Sequence, residues 1–495
     1  MAAAFTHPLI IQGGMGVGVS NWVLAKAVSM RGQLGVVSGT CVDTLLVRRL
    51  QDGDLGGHIR RAMEHFPLPD VVEDVLKRYF RPEGRPEGEP YKAIPMYRQV
   101  VSKVREQLTM LSSFVEVWLA KEGHDGVVGL NLLTKVQMPN LATLYGAMLA
   151  GVDYVLMGAG IPKEIPGALD RFAEHRAAQL RFEVEGLGRD EAEYLTFDPR
   201  DHFPAAPPVE IRRPFFLPII SYNSLATMLA KKASGRVDGF IIEGPTAGGH
   251  NAPPRGEPVF NERGEPIYGE RDTVDLEKMK EHGLPFWLAG GSGSPEKLRE
   301  ALESGAAGIQ VGTLFAYTDE SGVTAELKRD VIRQAQDDAI DVFTDARASP
   351  TGFPFKVVRV PGTVSQLPVY QQRERVCDLG YLRQPYKRPD GRIDYRCAAE
   401  PVDTYVKKGG DVADTEGRKC LCNALFATIG QPQAREGGVE EPPLVTSGDE
   451  LKNIRRFIGS DRSGYTAGEV IDFLLSGLCP RTYRERLAGL AMAAR

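Results

Sequence analysis

The sequence has few cysteines, no excess of basic charge and no long apolar run. Six cysteines among 495 residues are too few for the disulfide framework of a small secreted domain. The formal net charge of −5 gives no sign of the basic patch that nucleic-acid binders usually carry. No apolar run approaches the roughly 20 residues that span a bilayer, and the first residues, MAAAFTHPLIIQ, do not have the pattern of a secretory signal. We therefore expect a soluble cytoplasmic protein that binds neither nucleic acid nor membranes.

What the sequence does contain is a repeated unit, in which a short apolar run is followed by a helical pattern. The eight runs are PLIIQGG from Pro8, LGVVSG from Leu34, GVVGLNLL from Gly126, DYVLMGAG from Asp153, FFLPIISY from Phe215, DGFIIEG from Asp238, PFWLAGG from Pro285 and AGIQVGTLF from Ala307. Strands that alternate with helices indicate parallel βα units. Eight such units favour an α/β fold of the (β/α)8 or TIM-barrel type over an open doubly wound sheet.

Three long connections interrupt this repeat, at about 41–125, 161–213 and 251–283. The first contains a Pro- and Gly-rich stretch from Arg81 to Pro90, which predicts a solvated loop, and helical periodicity from Tyr97 to Lys121. The second contains a charged helical pattern and then a proline-rich stretch. Because the connections come near the carboxyl ends of predicted strands, where barrel enzymes build active sites, we expect either a cap over the pocket or surface decoration.

The repeat ends near Asp345, which suggests two regions. Residues 1–345 are predicted to form the barrel with its insertions. Residues 346–495 are predicted to be a turn-rich C-terminal extension with a cysteine cluster and terminal helices. The amphipathic tail, 447–478, is expected to pack against the barrel, and contact with a second copy in a homodimer is the alternative.

The stretch EGPTAGGHNAPPRG, from Glu243 to Gly256, places small residues around one imidazole. Gly248 and Gly249 allow a flat ligand to approach the backbone closely. A histidine titrates near neutral pH, so His250 is predicted to be the catalytic proton carrier. The alternative is a glycine-rich turn with an incidental histidine.

Two further turns have the composition of a phosphate site. In LAGGSGSPEKL, the amides of Gly290, Gly291 and Ser292 precede a helix that Ser294 is expected to cap, and a helix N-terminus favours an anion. The next strand ends at Gly312 and Thr313, whose backbone and hydroxyl suit the same group. In barrels of this type the loops after strands seven and eight commonly hold phosphate. The alternative is two tight βα turns that need glycine.

These pieces together resemble the nitronate monooxygenase family, formerly called 2-nitropropane dioxygenases. The matching pieces are HPLIIQGGMG, LGVVSG, GLNLL, MGAGIP, EGPTAGGH and LAGGSGSPEKLREALESGAAGIQVGTLF, in family order over most of residues 7–340. The same superfamily contains flavin-dependent enoyl-acyl-carrier-protein reductases. The resemblance implies a barrel that binds FMN over its mouth.

The resemblance also assigns residues to that cofactor. It places Gly13, Gly14 and Met15 beside the flavin ring and the Asn131 amide near ring or ribityl atoms. It places the phosphate at Gly290, Gly291, Gly312 and Thr313. Gly248 and Gly249 are assigned to the cofactor as part of the AGGH element, whose histidine, His250, faces the substrate above the flavin.

The resemblance implies a reaction but leaves the substrate open. Our first expectation is oxidation of nitronates or nitroalkanes by O2 to a carbonyl compound and nitrite. The alternative is NAD(P)H-dependent reduction of an enoyl thioester, so the substrate is a small molecule or an acyl thioester. A third reading is a non-catalytic component that binds partners in a larger assembly. The NAPPRG segment departs from shorter family members, and its Arg255 is expected either to meet a substrate anion or to be a solvated loop charge.

Four cysteines, Cys377, Cys397, Cys420 and Cys422, lie within 46 residues of sequence. Four thiolates can hold zinc or an iron–sulfur cluster. The spacing lacks paired CxxC units, however, so ordinary structural thiols are the other reading. Cys41 and Cys479 lie elsewhere and are expected to be buried thiols.

Overall fold

Parallel pairing of short apolar strands builds the centre of the molecule. The computed structural model describes residues 7–203, 210–459 and 462–478. The strands in chain order are β1 (Ile10–Gln12), β2 (Gly35–Ser38), β3 (Val128–Leu133), β4 (Tyr154–Gly158), β5 (Ala178–Phe182), β6 (Glu193–Phe197), β7 (Phe215–Ile220), β8 (Phe240–Glu243), β9 (Phe286–Ala289), β10 (Gly308–Val311), β11 (Val342–Asp345), β12 (Phe355–Val358), β13 (Gln384–Lys387) and β14 (Ile393–Arg396).

Eight of these strands form one closed sheet. Their order is β1-β10-β9-β8-β7-β4-β3-β2, and every neighbouring pair is parallel. The first and last strands meet through a parallel bridge between Ile11 and Leu34, with Gln12 N donating to Leu34 O at 2.9 Å. The predicted TIM barrel is confirmed, and each of the eight predicted runs contains one barrel strand.

Helices follow most barrel strands and others build the insertions. The α-helices are α1 (Trp22–Ser29), α2 (Val42–Gln51), α3 (His58–Met63), α4 (Pro69–Tyr79), α5 (Lys103–Lys121), α6 (Asn140–Leu149), α7 (Ile165–Ala173), α8 (Asn223–Lys232), α9 (Leu276–Lys280), α10 (Pro295–Glu303), α11 (Thr313–Ala316), α12 (Ala325–Gln336), α13 (Leu367–Gln372), α14 (Val402–Lys407), α15 (Leu421–Thr428) and α16 (Ala467–Leu475). Short 3-10 helices lie at Leu55–Gly57, Pro199–Asp201, Glu270–Asp272, Val412–Thr415, Glu436–Gly438 and Asp449–Phe457.

The barrel interior is closed by large side chains. One cluster, separate from the main core, takes buried residues from six barrel strands or their ends, and Trp287, Tyr154 and Leu217 are fully buried within it. Adjacent strand residues such as Ile10 and Ile309 belong instead to the larger core under the helices. This alternation fits strands that are covered on both faces, and it leaves room for a ligand only at the strand ends.

The three insertions match the sequence expectations in part. The stretch 81–90 contains neither helix nor strand, as predicted for a loop. The helix predicted over 97–121 begins only at Lys103, where the Ser102 hydroxyl accepts from Arg105 N. In the second insertion a helix is present as α7, but the antiparallel hairpin β5–β6 follows it. The proline-rich part of that insertion, 204–209, lies outside the described residues.

A buried ionic network joins the first insertion to the C-terminal extension. The Asp43 carboxylate accepts from Tyr97 Oη at 2.9 Å, lies 2.7 Å from the Arg105 guanidinium and also binds the Tyr381 hydroxyl. Burial alone raises the pKa of Asp43, but Arg105 and the two tyrosine hydroxyls outweigh it and lower that pKa below its usual value. The hydrogen bonds and the ion pair centred on the charged Asp43 carboxylate therefore hold Tyr381 over the barrel.

The C-terminal extension packs on the mouth of the barrel. A bridge pairs His250 with Phe355, and Lys356 N donates to Gly249 O at 2.9 Å. The predicted boundary at 345 falls between the paired strands β11 and β12. In the tail, α16 lies against α1 and α10, and Tyr465 Oη donates to Leu314 O at 2.8 Å, so the tail packs on the barrel as expected.

No helix within the described ranges combines the length and the apolar character that a membrane-spanning segment needs.

Candidate active site

The carboxyl ends of the barrel strands surround a cavity of about 230 Å³. The residues that the family resemblance assigned to FMN or catalysis all line it: Gly13, Gly14, Met15, Asn131, Gly248, Gly249, His250, Gly290, Gly291, Gly312 and Thr313. These residues come from β3 and from the segments that follow β1, β8, β9 and β10. The sequence therefore placed its candidates in one site, although they are spread over 300 residues.

The floor of the cavity needs glycine at the end of β1. A Cβ on Gly14 would lie 2.2 Å from the Asn131 Cβ, and real atoms do not approach so closely. Asn131 Nδ2 donates to Gly14 O at 3.0 Å. The nitrogen of the side-chain amide that was predicted to face the flavin therefore binds the backbone of this floor. The Asn131 oxygen remains for a ligand.

The two predicted phosphate turns lie side by side. Gly290 and Gly291 have φ of 83° and 67°, a left-handed backbone that favours glycine. Ser294 caps α10 as predicted, because its hydroxyl accepts from Lys297 N at 3.2 Å. The Thr313 hydroxyl oxygen accepts from Gly448 N at 3.0 Å, which leaves its proton free to donate to an anion.

His250 lies at the cavity wall, with its Nε2 2.7 Å from the Ser349 hydroxyl oxygen. Its ring meets Phe355 edge-on, with 4.8 Å between the ring centroids. Burial, with a smaller contribution from the Lys135 ammonium, lowers the pKa of His250 to about 4. The expectation that this histidine titrates near neutral pH is therefore wrong, because the sequence did not show how deeply the extension buries it.

Glu243 is the titratable group that the sequence reasoning missed. It ends β8 and lines the cavity, and its carboxyl forms no hydrogen bond or ion pair with another described residue. Burial raises the pKa of Glu243 to about 7. Near neutral pH this carboxyl can therefore hold or release a proton, which is the property expected of His250. Its position as the first residue of the EGPTAGGH motif could have identified Glu243 as a candidate from the sequence.

The C-terminal extension covers the cavity. We call residues 446–450 the strap: Gly249 N donates to Thr446 Oγ1 at 2.9 Å and the Ser447 hydroxyl pairs with Tyr317 Oη at 2.7 Å. Beside the strap is an apolar roof formed by Leu382, Leu421, Leu425, Leu444 and Val445. Sequence periodicity could not reveal the roof, because each contact joins residues far apart in the chain.

The cavity carries acidic groups but no fixed cation. Among the described side chains that line it, none is lysine or arginine, whereas Glu243 and Glu450 are both present. Arg255, considered as an anion ligand, is exposed and stands 5.0 Å from the centre of the Tyr222 ring, outside this cavity. The anion-binding capacity of the site therefore lies in backbone amides and hydroxyls.

The four clustered cysteines line a second, much smaller cavity behind the roof. A thiol–thiol hydrogen bond with Cys397 lowers the pKa of Cys377, while the same contact and burial raise that of Cys397. In the described part of the chain, no three His, Cys, Asp or Glu side chains are arranged to hold a metal ion. The zinc or iron–sulfur reading therefore gains no support; Cys422 belongs to the main core and Cys420 packs against it. Cys41 is buried as expected, and Cys479 lies outside the described residues.

The residues present fit FMN. The Oε1 atom of Gln310, on β10 at the cavity, is buried without a hydrogen-bond partner and suits a donor on the flavin ring. The glycine turn after β9 offers amides at the N-terminus of α10, where a phosphate is stabilised, and the turn after β10 adds Gly312 and the Thr313 hydroxyl. The apolar roof over the floor suits a flat ring system.

Comparison with known proteins agrees with this reading. The family model for nitronate monooxygenase matches residues 212–352, which include AGGH and both phosphate turns. The predicted resemblance is confirmed, and the protein is an FMN-dependent oxidoreductase. No curated protein matches the sequence.

Similar solved structures include FabK from Thermotoga maritima, which is 17% identical with a TM-score of 0.46 and covers 98% of this chain and 96% of its own. A nitroalkane oxidase from Streptomyces ansochromogenes is 15% identical with a TM-score of 0.42, and each chain is covered to 99%. The enoyl reductase domain of MlnA from Bacillus amyloliquefaciens is 12% identical with a TM-score of 0.41, covering 98% of this chain and 94% of that one. Similarity at this level does not identify the reaction.

Replacing Gly248 by alanine should displace the strap. The new Cβ would lie 2.8 Å from the Ser447 carbonyl carbon, so backbone must move. We expect Gly248→Ala to cost about 1–3 kcal/mol of stability, as overpacking does, and to weaken FMN retention. Thermal unfolding and the flavin-to-protein ratio after gel filtration measure both effects.

Gly269→Ala is the matched control, because a Cβ there meets no atom within 4 Å. It should behave like the wild type. If Gly248→Ala keeps the stability and flavin content of this control, the strap does not depend on the close contact.

Proposed function

We propose that this FMN-dependent oxidoreductase reduces the carbon–carbon double bond of an enoyl thioester, with NAD(P)H as the electron source. The observation that carries the proposal is a cavity with an apolar roof, no lining cation and a carboxyl whose pKa is about 7. An uncharged acyl chain can enter such a cavity without leaving an unpaired buried charge, whereas an anion would pay the cost of desolvation.

The reaction needs one hydride and one proton. Reduction of R–CH=CH–CO–SR′ by NAD(P)H and H⁺ gives R–CH₂–CH₂–CO–SR′ and NAD(P)⁺, with hydride added at the β-carbon and the proton at the α-carbon. When bound, FMN supplies the hydride transfer. The chain must supply the proton, orient the thioester and exclude water.

Glu243 is the proposed proton donor. Its carboxyl lines the cavity, forms no hydrogen bond or ion pair with another described residue, and has a pKa that desolvation raises to about 7. A general acid works best when its pKa lies near the working pH. His250 cannot fill this role at neutral pH, because its low pKa keeps it uncharged and weakly basic.

His250 has a different proposed role, which is to orient the substrate. The Ser349 hydroxyl at 2.7 Å and the edge of Phe355 hold the imidazole ring in place. A neutral imidazole held in this way presents its other nitrogen as a fixed hydrogen-bonding group. The thioester carbonyl is the group that such a contact would position.

Nitronate oxidation is the second candidate, and the family-model match over residues 212–352 favours it. In that reaction a nitronate anion and O2 give a carbonyl compound and nitrite. The anion would face Glu243 and Glu450 without a lining lysine or arginine to balance it. This electrostatic mismatch makes the first expectation from the sequence the weaker of the two.

The two candidates can be separated with the purified flavoprotein. We expect anaerobic NAD(P)H to bleach the flavin absorbance and a medium-chain enoyl thioester to restore it within one turnover. Mixing with a nitronate in air, followed by an oxygen electrode, should show little oxygen uptake. Rapid nitronate-dependent oxygen uptake together with no response to the enoyl thioester would contradict the proposal.

Glu243→Gln should remove the proton donor without changing the shape of the cavity. We expect enoyl reduction to fall by about 100- to 10,000-fold, the usual contribution of a general acid. In the wild type, kcat/KM should fall as pH rises through about 7, because the protonated carboxyl is lost. In the variant, kcat/KM should not fall in this pH range, and FMN binding should be normal.

Glu262→Gln, at an exposed position in the third insertion, is the control and should keep both rate and pH profile. A Glu243→Gln enzyme with the wild-type rate and the same decrease of kcat/KM near pH 7 would show that another group supplies the proton.

A further inference from the structure

The strap crosses the two turns proposed to hold the FMN phosphate. Asp449 N donates to Thr246 O and Gly448 N donates to Thr313 Oγ1, each at 3.0 Å. A Cβ on Gly448 would lie 2.6 Å from Thr246 O, so the strap is as close to the barrel as a glycine backbone permits. The strap is therefore part of the wall of the phosphate site.

The last residue of the strap reaches into the first phosphate turn. Glu450 Oε2 accepts a hydrogen bond from Gly293 N at 3.0 Å, next to the N-cap of α10. A Cβ on Gly293 would lie 2.9 Å from the same oxygen, so the glycine makes room for this carboxyl. Glu450 also lines the cavity. The Glu450 carboxyl thus binds the Gly293 amide beside the N-terminus of α10, where an anion is stabilised.

We propose that Glu450 competes with the FMN phosphate, and that FMN binds when this carboxyl takes up a proton. The inference rests on the proposed placement of the phosphate at the turns after β9 and β10. A carboxylate and a phosphate dianion at one helix N-terminus repel each other, and the buried site screens them little. Protonation removes this repulsion and gives Glu450 a hydrogen that it can donate to a phosphate oxygen.

The surroundings of Glu450 favour its neutral form. Burial raises its pKa, against the opposing effects of the Gly293 amide and the Arg456 guanidinium. Asp449 adds a like charge and raises the pKa further, although Lys356 Nζ binds that carboxylate at 2.6 Å. The turn that faces Glu450 from the barrel contributes a backbone amide. The pKa of Glu450 is therefore raised above that of an ordinary glutamate, so its neutral form is reached more easily.

The sign of the pH dependence follows from linkage. A phosphate beside Glu450 raises the pKa of that carboxyl further, so the complex binds more protons than the free protein. Below the pKa of free Glu450 the proton is already present, and this carboxyl no longer changes the FMN affinity. Above it, the dissociation constant should rise by up to about tenfold per pH unit.

The test measures FMN binding itself. Protein stripped of flavin is titrated with FMN between pH 6 and 9, and quenching of flavin fluorescence gives the dissociation constant. We expect wild-type affinity to fall with pH and Glu450→Gln to bind FMN more tightly above pH 8, by tenfold or more, with a nearly flat profile. The wild type should bind riboflavin, which lacks the phosphate, without this pH dependence.

Two controls keep the outcome interpretable. Glu436→Gln, on an exposed 3-10 helix of the same extension, should retain the wild-type profile. Circular dichroism shows that each variant is folded. A folded Glu450→Gln protein with the wild-type pH profile, or with weaker FMN binding at every pH, would overturn the role of Glu450. A wild-type protein that binds no FMN at any pH would overturn the flavin site and this inference with it.

Discussion

The active site depends on how closely the C-terminal strap approaches the barrel mouth. Gly248, Gly293 and Gly448 permit this approach, since a Cβ on any of them would meet backbone or carboxylate atoms at 3.0 Å or less. Through it, residues far beyond the barrel in sequence roof the cavity and bury its titratable groups. The strap and the roof thus enclose the barrel mouth, and the resulting loss of hydration shifts the pKa values of the groups inside.

That enclosure exchanges the expected roles of two residues. His250 lies under the extension and beside Lys135, so its protonated form is disfavoured. Glu243 is half-buried in a cavity that no described lysine or arginine lines, so desolvation favours its neutral form. Both shifts have the same cause, the cost of burying a charge. We therefore propose Glu243 as the proton carrier at neutral pH and His250 as a neutral positioning group.

The barrel could be predicted from sequence because its strands are buried on both faces and read as continuous apolar runs. The glycine turns that line the cavity could be predicted because glycine at fixed places after strands has a local cause, whereas their assignment to the FMN phosphate stays a prediction. In the β5–β6 hairpin, the buried Ala178, Leu180 and Phe182 alternate with exposed residues, as in a half-buried strand. The hairpin was missed because it lies within a charged stretch that reads as helix. The roof, the strap and the pKa shifts depend on contacts between distant segments, which no local pattern reveals.

A crystal structure of the protein with FMN tests the account most directly. The account predicts the phosphate within hydrogen-bond distance of the Gly291 and Ser292 amides and of the Thr313 hydroxyl, beside the Glu450 carboxyl. It also predicts the flavin ring between the Gly13–Gly14 floor and the apolar roof, with Glu243 facing the substrate space. A phosphate bound away from these turns, or a ring outside the roofed cavity, would contradict it.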